Sequence, residues 1–400
     1  MELKALFEHS NHVCPVCGLS DMQLFLEITD VPASCNQLWM EKEAAMSCPK
    51  GDIRLAFCPN CESVLNIALE PKKNQYTQMY ENSLFFSGFY RDFAESLARD
   101  LVERYDLHGK DIIEIGCGKG EFLQLLCELG NNRGIGFDPT YSHVRERSTA
   151  GKNLAFIAGV YSPEYKDIQA DMIFSWHVLE HMNDPVQFIR QLRDTIDQQR
   201  KTRLFLGVPN SLSLVEKGHF LDIIYEHVSY FTTRSLSALF SCCGFTVCET
   251  GQIHRENSLY IDACLSQEPC SSHFSSSDTG AYLSRDLINR FFLNYQQKLK
   301  EYSAIVSKMK KLSGRAVVWG AGSRGVTFLN AFKDLGVEFA VDINPRKQGK
   351  FVPGTGQKIV PPSFLKEYKP RFVIVVNPMY EVEIRQQLER LNIEARMVVV

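Results

Sequence analysis

From Asp111 onward the chain alternates short apolar runs with amphipathic stretches. Residues 112–115 read as a strand and 122–129 as a helix. Residues 134–137 and 172–175 read as strands, 186–196 as a helix and 203–208 as a strand. Alternation of this kind predicts a parallel sheet with covering helices. The pattern restarts near residue 315, with strands over 315–319, 339–343, 372–376 and 397–400 and helices over 325–335 and 382–391. A second, smaller unit of the same type is expected there. Residues 76–107 read as a helix with a Tyr/Phe-rich start. Ile288, Phe292, Tyr295, Leu299, Tyr302, Val306 and Met309 recur at three- and four-residue spacing, the mark of a long amphipathic helix. That helix either bridges to a neighbouring domain or pairs with a second copy. Residues 266–277 carry six serines and Pro269, which predicts a linker. The expected organisation is an N-terminal module over 1–75, a core over 76–265, a linker and bridging helix over 266–314, and a C-terminal unit over 315–400. No short tandem repeat is present.

Composition narrows the function. The chain has 400 residues, 44% hydrophobic and 23% charged, with a net charge of −3. This is a globular balance without the basic surplus of a protein that binds nucleic acid by neutralising phosphates. No run approaches the roughly 18 apolar residues that span a bilayer. The first residues lack a signal-peptide pattern, so a cytoplasmic protein with a small-molecule substrate is expected, as a monomer or homodimer. Its 13 cysteines are then thiols or metal ligands rather than disulfides.

Cys14-Pro-Val-Cys17 and Cys58-Pro-Asn-Cys61 are two thiolate knuckles in the otherwise irregular first segment. Together they suit a closed tetrahedral S₄ site for structural zinc. Four unrelated thiols, a redox pair, or recruitment of Cys35 or Cys48 are the alternatives.

Glu114-Ile-Gly-Cys-Gly-Lys-Gly120 follows a strand and opens a helix, and Asp138 ends the next strand. Glycines let a ligand approach the backbone, and an acid at that distance can accept both ribose hydroxyls. NAD would fit the same logic, but Glu121 stands where the dinucleotide fingerprint has Gly or Ala. Trp176-His177-Val-Leu-Glu-His181-Met-Asn-Asp-Pro185 follows a later strand. Tyr225-Glu226-His227 lies farther on, and histidine is the usual proton carrier near neutral pH. His177, His181 and His227 could equally be polar loop residues without chemistry.

The combination of these motifs resembles the class I S-adenosylmethionine-dependent methyltransferases. The whole layout resembles the nucleotide-sugar C-methyltransferases, which join an N-terminal zinc module, a Rossmann-like methyltransferase core and a smaller C-terminal Rossmann-like domain. Gly320-Ala-Gly-Ser-Arg324-Gly-Val-Thr-Phe-Leu-Asn330 and Asp342-Ile-Asn-Pro-Arg-Lys347-Gln-Gly349 are similar to that family's C-terminal motifs. Read alone, the first of these would also fit a dinucleotide loop.

The resemblance implies that Gly116 to Gly120, with Cys117 and Gly118 between them, line the methionyl part of the donor. It further implies that Asp138 holds the ribose and that Val160 and His177 flank the adenosine, with Glu114 and Pro139 also on the donor. Arg324, Lys347 and Asn377 become candidates for a sugar diphosphate. Tyr80, Asn82 and Ser83 lie in an aromatic/Ser segment that contacts both ligands in the family, although an ordinary helix start would look similar.

The implied reaction is methyl transfer to a sugar carbon beside a ketone. His227, assisted by Glu226, is the expected base, with His181 in reserve, and Tyr225 or Tyr230 would stabilise the enolate. The family often carries Tyr three residues before this His, where this chain has Ile224, and Lys where this chain has Arg324. An O- or N-methyltransferase on another small metabolite, or a zinc-dependent binding protein with an inactive core, are the competing expectations.

Overall fold

The structure, a computed structural model, describes residues 3–73, 76–142, 153–267, 283–311 and 315–400. Its first sheet is a meander of β1 (Leu3–Ser10), β2 (Met22–Pro32), β3 (Lys50–Phe57) and β4 (Val64–Asn66), antiparallel throughout. Short helix α1 (Lys42–Met46) lies between β2 and β3. The segment that reads as irregular therefore carries a four-stranded sheet.

Helix α2 spans Gly88–Arg104, not 76–107. Ser87 caps it, its side chain accepting from the Tyr90 N–H, and so fixes the start. Residues 76–87 are extended and turning instead; Tyr80 forms a bridge with Gln37.

The second sheet contains β5 (Asp111–Ile115), β6 (Arg133–Phe137), β7 (Leu154–Ile157), β8 (Met172–Trp176) and β9 (Arg203–Pro209). These five are parallel, in the order β7-β6-β5-β8-β9. Helix α3 (Glu121–Gly130) follows β5, α4 (Pro185–Thr195) follows β8 and α5 (Ser211–Lys217) follows β9. A two-residue strand, β10 (Ser229–Tyr230), leaves this unit to pair with β4 of the first sheet. After α6 (Thr233–Cys242), the hairpin β11 (Phe245–Ile253) and β12 (Ser258–Leu265) completes the sheet, with β12 antiparallel to β9. This hairpin has no counterpart in the strands read from the sequence; a bulge between Val247 and Glu249 breaks its alternation.

Most of the Ser-rich stretch proposed as a linker lies outside the described residues. Helix α7 (Arg285–Lys311) follows, with Leu287, Ile288, Phe291, Tyr295, Val306 and Met309 buried. This stripe faces the rest of the chain: Tyr295 packs edge-on against Phe220, ring centroids 4.7 Å apart, and Tyr302 lies 6.3 Å from Phe328. The helix is thus a bridge, and each fully buried aromatic in it is worth roughly 1.5–3 kcal/mol of transfer free energy.

The third sheet is all parallel, ordered β15-β14-β13-β16-β17. It comprises β13 (Ala316–Trp319), β14 (Phe339–Val341), β15 (Lys358–Val360), β16 (Phe372–Val375) and β17 (Arg396–Val399). Helices α8 (Ser323–Ala331), α9 (Leu365–Tyr368) and α10 (Glu381–Arg390) cover it. Helix α8 ends earlier than the sequence pattern indicates, in a short turn over Lys333–Leu335 and left-handed Gly336. One apolar core joins Phe25 and Ile53 of the first sheet, Ile224 of the middle unit, Phe291 of α7 and Val318 of β13. Among the described residues no helix is long and apolar enough to cross a membrane.

Candidate functional site

Strand β5 has β6 on one side and β8 on the other, so the chain reverses its winding there and opens a crevice at the strand ends. The glycine loop fills that crevice. Gly116 has φ +75°, and a Cβ there would sit 2.1 Å from Val178 Cγ2. Gly120, at φ +85°, faces Phe156 in the same way. Only glycine leaves this cradle empty.

Asp138 is held rigidly: Oδ2 accepts from the Gly118 N–H at 2.8 Å and Oδ1 from the Thr140 N–H at 2.7 Å. Glu114, Glu121 and Asp138 line the cavity together with Cys117, Pro139 and His177. Glu114 Oε2 is buried without a partner. Burial, then the charges of Glu121 and Asp138, push its carboxyl up to about 8. An open glycine cradle ringed by carboxylates fits a donor that carries cationic centres, as S-adenosylmethionine does. Val160 does not join it: the residue is 59% exposed and lies outside the cavity wall.

A second cavity lies between the middle unit and the third sheet. The loop after β13 forms one wall, with Gly320 at φ +106° and Asp342 accepting from the Ala321 N–H at 2.9 Å. Arg324, Lys347 and Asn377 face this cavity. Arg324 grips Asp222 with Nε at 2.6 Å and Nη2 at 2.7 Å, and Nη1 donates to Asn377 Oδ1 at 2.9 Å. Lys347 donates to Asn36 Oδ1 and to the Ala321 carbonyl. The two cavities share a wall made by Tyr80, Asn82, Ser83, Leu84, His177 and His181.

At that junction His181 and His227 stand edge to face, ring centroids 4.9 Å apart. Burial first, then the neighbouring imidazoles His181 and His177, hold His227 well below the usual histidine range, so it is neutral at pH 7 with a lone pair available. Burial lowers His181 to about 4; its Nδ1 lies 3.1 Å from the Glu226 carbonyl and 2.7 Å from the Tyr76 hydroxyl. His177 has φ +55°, donates its N–H to the Gly207 carbonyl, and places Nε2 3.0 Å from Ser258 Oγ.

Three expected site residues point elsewhere. Tyr225 is fully buried against Gly51, and its hydroxyl accepts from the Glu70 N–H at 2.8 Å. The Glu226 carboxylate accepts from Ser34 Oγ and the Cys35 N–H, so it braces the first sheet and does not contact His227. Tyr230 donates its hydroxyl to the Ile224 carbonyl, with its ring 5.7 Å from His227. Of Tyr225, Glu226, His227 and Tyr230, His227 is the one that lines the cavity.

Tyr76 and Glu180 also reach the junction, beyond the residues that the sequence points to. Glu180 lies inside the His177–Pro185 motif, between the histidines that carry its signal. Tyr76 falls in the stretch read as helix.

In the first sheet the four knuckle sulfurs form one cluster, all within 4.8 Å of one another. Cys14 Sγ is 3.5 Å from Cys61 Sγ, and Cys17 Sγ is 3.5 Å from Cys58 Sγ. Zn–S bonds of about 2.3 Å give similar edges to a tetrahedron, so this cluster could hold zinc. Cys35 and Cys48 lie apart from it.

Residues 90–250 match the methyltransferase domain family, and residues 281–400 match the C-methyltransferase C-terminal domain family. The chain is 22% identical over 388 residues to C-methyltransferase NovU of Streptomyces niveus, covering 93% of this chain and 90% of that protein. It is 26% identical over 144 residues to tRNA U34 carboxymethyltransferase of Campylobacter lari, covering 34% of this chain and about half, 48%, of that protein. Among solved structures, magnesium protoporphyrin IX methyltransferase of Synechocystis PCC 6803 aligns with 19% identity and a TM-score of 0.34, over 44% of this chain and 84% of that one.

Proposed function

We propose that the chain is a class I S-adenosylmethionine-dependent methyltransferase that methylates a carbon beside the ketone of a nucleotide-linked keto-deoxysugar. The shared wall carries this reading: a carboxylate-ringed donor cavity opens directly onto an acceptor cavity that holds Arg324 and Lys347. Bound S-adenosylmethionine supplies a sulfonium-activated methyl group, so the protein's own work is deprotonation and alignment.

The Gly116–Gly120 cradle, Glu114, Asp138 and His177 hold the donor. Arg324 and Lys347 take the sugar diphosphate, with Arg324 exchanging Asp222 for phosphate oxygens. Asn377 steadies that guanidinium, and Tyr80, Asn82 and Ser83 touch both ligands from the shared wall. His227 removes the proton next to the ketone. The incoming diphosphate raises its basicity, since a nearby anion favours the imidazolium. His181 orients it. Glu226, Tyr225 and Tyr230 support the loop rather than the chemistry.

The four cysteines carry structural zinc, which contributes ~10–16 kcal/mol in small modules and ties the ends of the first sheet. Metal analysis should return one zinc per chain. A reducing compartment, hence the cytoplasm, suits these thiols.

The test is mass spectrometry after incubation with S-adenosylmethionine and a panel of nucleotide-linked 4-keto-deoxysugars. A product heavier by one CH₂ is expected, together with deuterium uptake from D₂O at the α-carbon of the unmethylated substrate. Turnover of crude metabolites but of none of the panel would overturn the sugar assignment. Methylation on O or N without exchange would overturn the carbon assignment.

A further inference from the structure

We propose that Glu180 is a further catalytic residue, its protonated carboxyl donating a hydrogen bond to the substrate ketone oxygen as that oxygen becomes an enolate. The inference rests on the enolate reading above and names the group which that reading lacks. An enolate forming in a cavity shielded from water needs a fixed donor. Tyr225 and Tyr230, the donors expected from sequence, are engaged with Glu70 and Ile224 and face away. Arg324, in α8, and Lys347, after β14, come from the third-sheet unit on the other side of the cavity.

Glu180 has the required position. It lies in the short turn Leu179–His181, is 1% exposed and lines the acceptor cavity. One carboxyl oxygen and a ring nitrogen from each of His181 and His227 lie within 4.8 Å of one another. Its backbone carbonyl accepts from the Val228 N–H at 2.8 Å, which locks the turn to the loop that carries His227. Base and donor are thus held as one unit.

It also has the required chemistry. Neither carboxyl oxygen has a hydrogen-bond partner among the described residues. The nearest group able to balance a charge is His181 Nε2 at 3.9 Å, and burial keeps that imidazole neutral at pH 7. A buried carboxylate with no partner is costly, whereas a neutral acid with a free O–H can give a hydrogen bond. Burial correspondingly pushes the Glu180 carboxyl up to about 8.

In the step, His227 takes the α-proton and the C–H electron pair moves into the enolate. The Glu180 O–H shares its hydrogen with the enolate oxygen and keeps it. The carbon then bonds to the methyl group, S-adenosylhomocysteine leaves with the S–C pair, and the His227 proton passes to water.

The experiment measures deuterium uptake by a nucleotide-linked 4-keto-deoxysugar in D₂O, with S-adenosylhomocysteine in place of the donor. Wild type is compared with Glu180→Gln and Glu180→Leu, with substrate and S-adenosylhomocysteine affinities and thermal melting measured alongside. Glu180→Leu should slow exchange ~10²–10³-fold, as loss of one oxyanion donor does, with affinities nearly unchanged. Glu180→Gln keeps an N–H donor of the same shape and should stay within about tenfold of wild type. Wild-type exchange in Glu180→Leu would overturn the proposal. So would a Glu180→Gln variant as inactive as Glu180→Leu, since the carboxylate would then be acting as a base. Should Glu180→Leu fail to fold, Glu180→Ala, which also removes the donor, takes its place with the same expected loss, and wild-type exchange in it overturns the proposal. A wild type that methylates the sugar without any exchange would overturn the enolate reading itself, and this proposal with it.

Discussion

After β5 and again after β13 the chain makes the same turn. Gly116 donates its N–H to the Phe137 carbonyl at 2.7 Å, and Gly320 donates to the Val341 carbonyl at 2.8 Å. In each unit the acid that ends the neighbouring strand accepts one loop amide: Asp138 from Gly118, Asp342 from Ala321. The backbones are near repeats, yet the walls differ. Glu114, Glu121 and Asp138 surround the first cradle, while Arg324 and Lys347 flank the second. A glycine turn alone therefore says only that a ligand can come close. The side chains around it differ, and under the proposed function the first cradle takes a cationic ligand and the second an anion that displaces Asp222 from Arg324.

Steric tolerance separates the loops most sharply. A Cβ at Gly116 meets Val178 at 2.1 Å with φ at +75°, whereas one at Gly320 has its nearest neighbour, Val376, at 3.5 Å. Gly116→Ala should weaken S-adenosylhomocysteine binding by more than ~100-fold in calorimetry, because strain and clash combine. Gly320→Ala carries backbone strain alone, ~1–2 kcal/mol, and should raise the acceptor KM about tenfold without touching donor affinity. Equal effects on donor binding would break the division of labour between the loops.

Charge comes next. Arg324→Ala removes the bidentate cation and should raise the acceptor KM ~10–100-fold, the ~1.5–3 kcal/mol of a charged hydrogen bond, with the donor Kd unchanged. Asp222→Asn frees the guanidinium from its internal partner and should lower KM slightly. A KM unmoved by Arg324→Ala would show that the second loop does not hold the anion.

Both glycine loops, the strands before them and the bridging helix could be read from the chain because each depends on a local pattern. The first sheet could not, since β2 and β3 pair across a long excursion and each has an irregular register. The start of α2 is not legible because aromatic residues 76–86 mimic a helical stripe, while one cap at Ser87 decides the boundary. At the site, residue type was legible and direction was not. Tyr225, Glu226 and His227 are consecutive, yet the first two turn to the first sheet and only the third enters the cavity. Glu180 is the chain neighbour of His181, whereas Tyr76 comes from a separate segment and only folding brings it beside that ring.

The subtlest consequence of the charge difference concerns protons. With its carboxyl near 8, free Glu114 is mostly protonated at pH 7. A cationic ligand beside it favours the carboxylate, so binding should release a proton. Affinity for the donor should then rise with pH between about 6 and 8, approaching tenfold per unit where Glu114 is protonated when free and ionised when bound. Calorimetry in phosphate and in Tris, whose ionisation enthalpies differ, reads the released proton directly. Glu180 titrates in the same range but in the adjoining cavity, so Glu114→Gln is the control: it should abolish both the slope and the buffer dependence. A slope that survives Glu114→Gln would place the responsive group in the acceptor cavity. The first loop would then owe its preference for a cation to Asp138 and Glu121 alone.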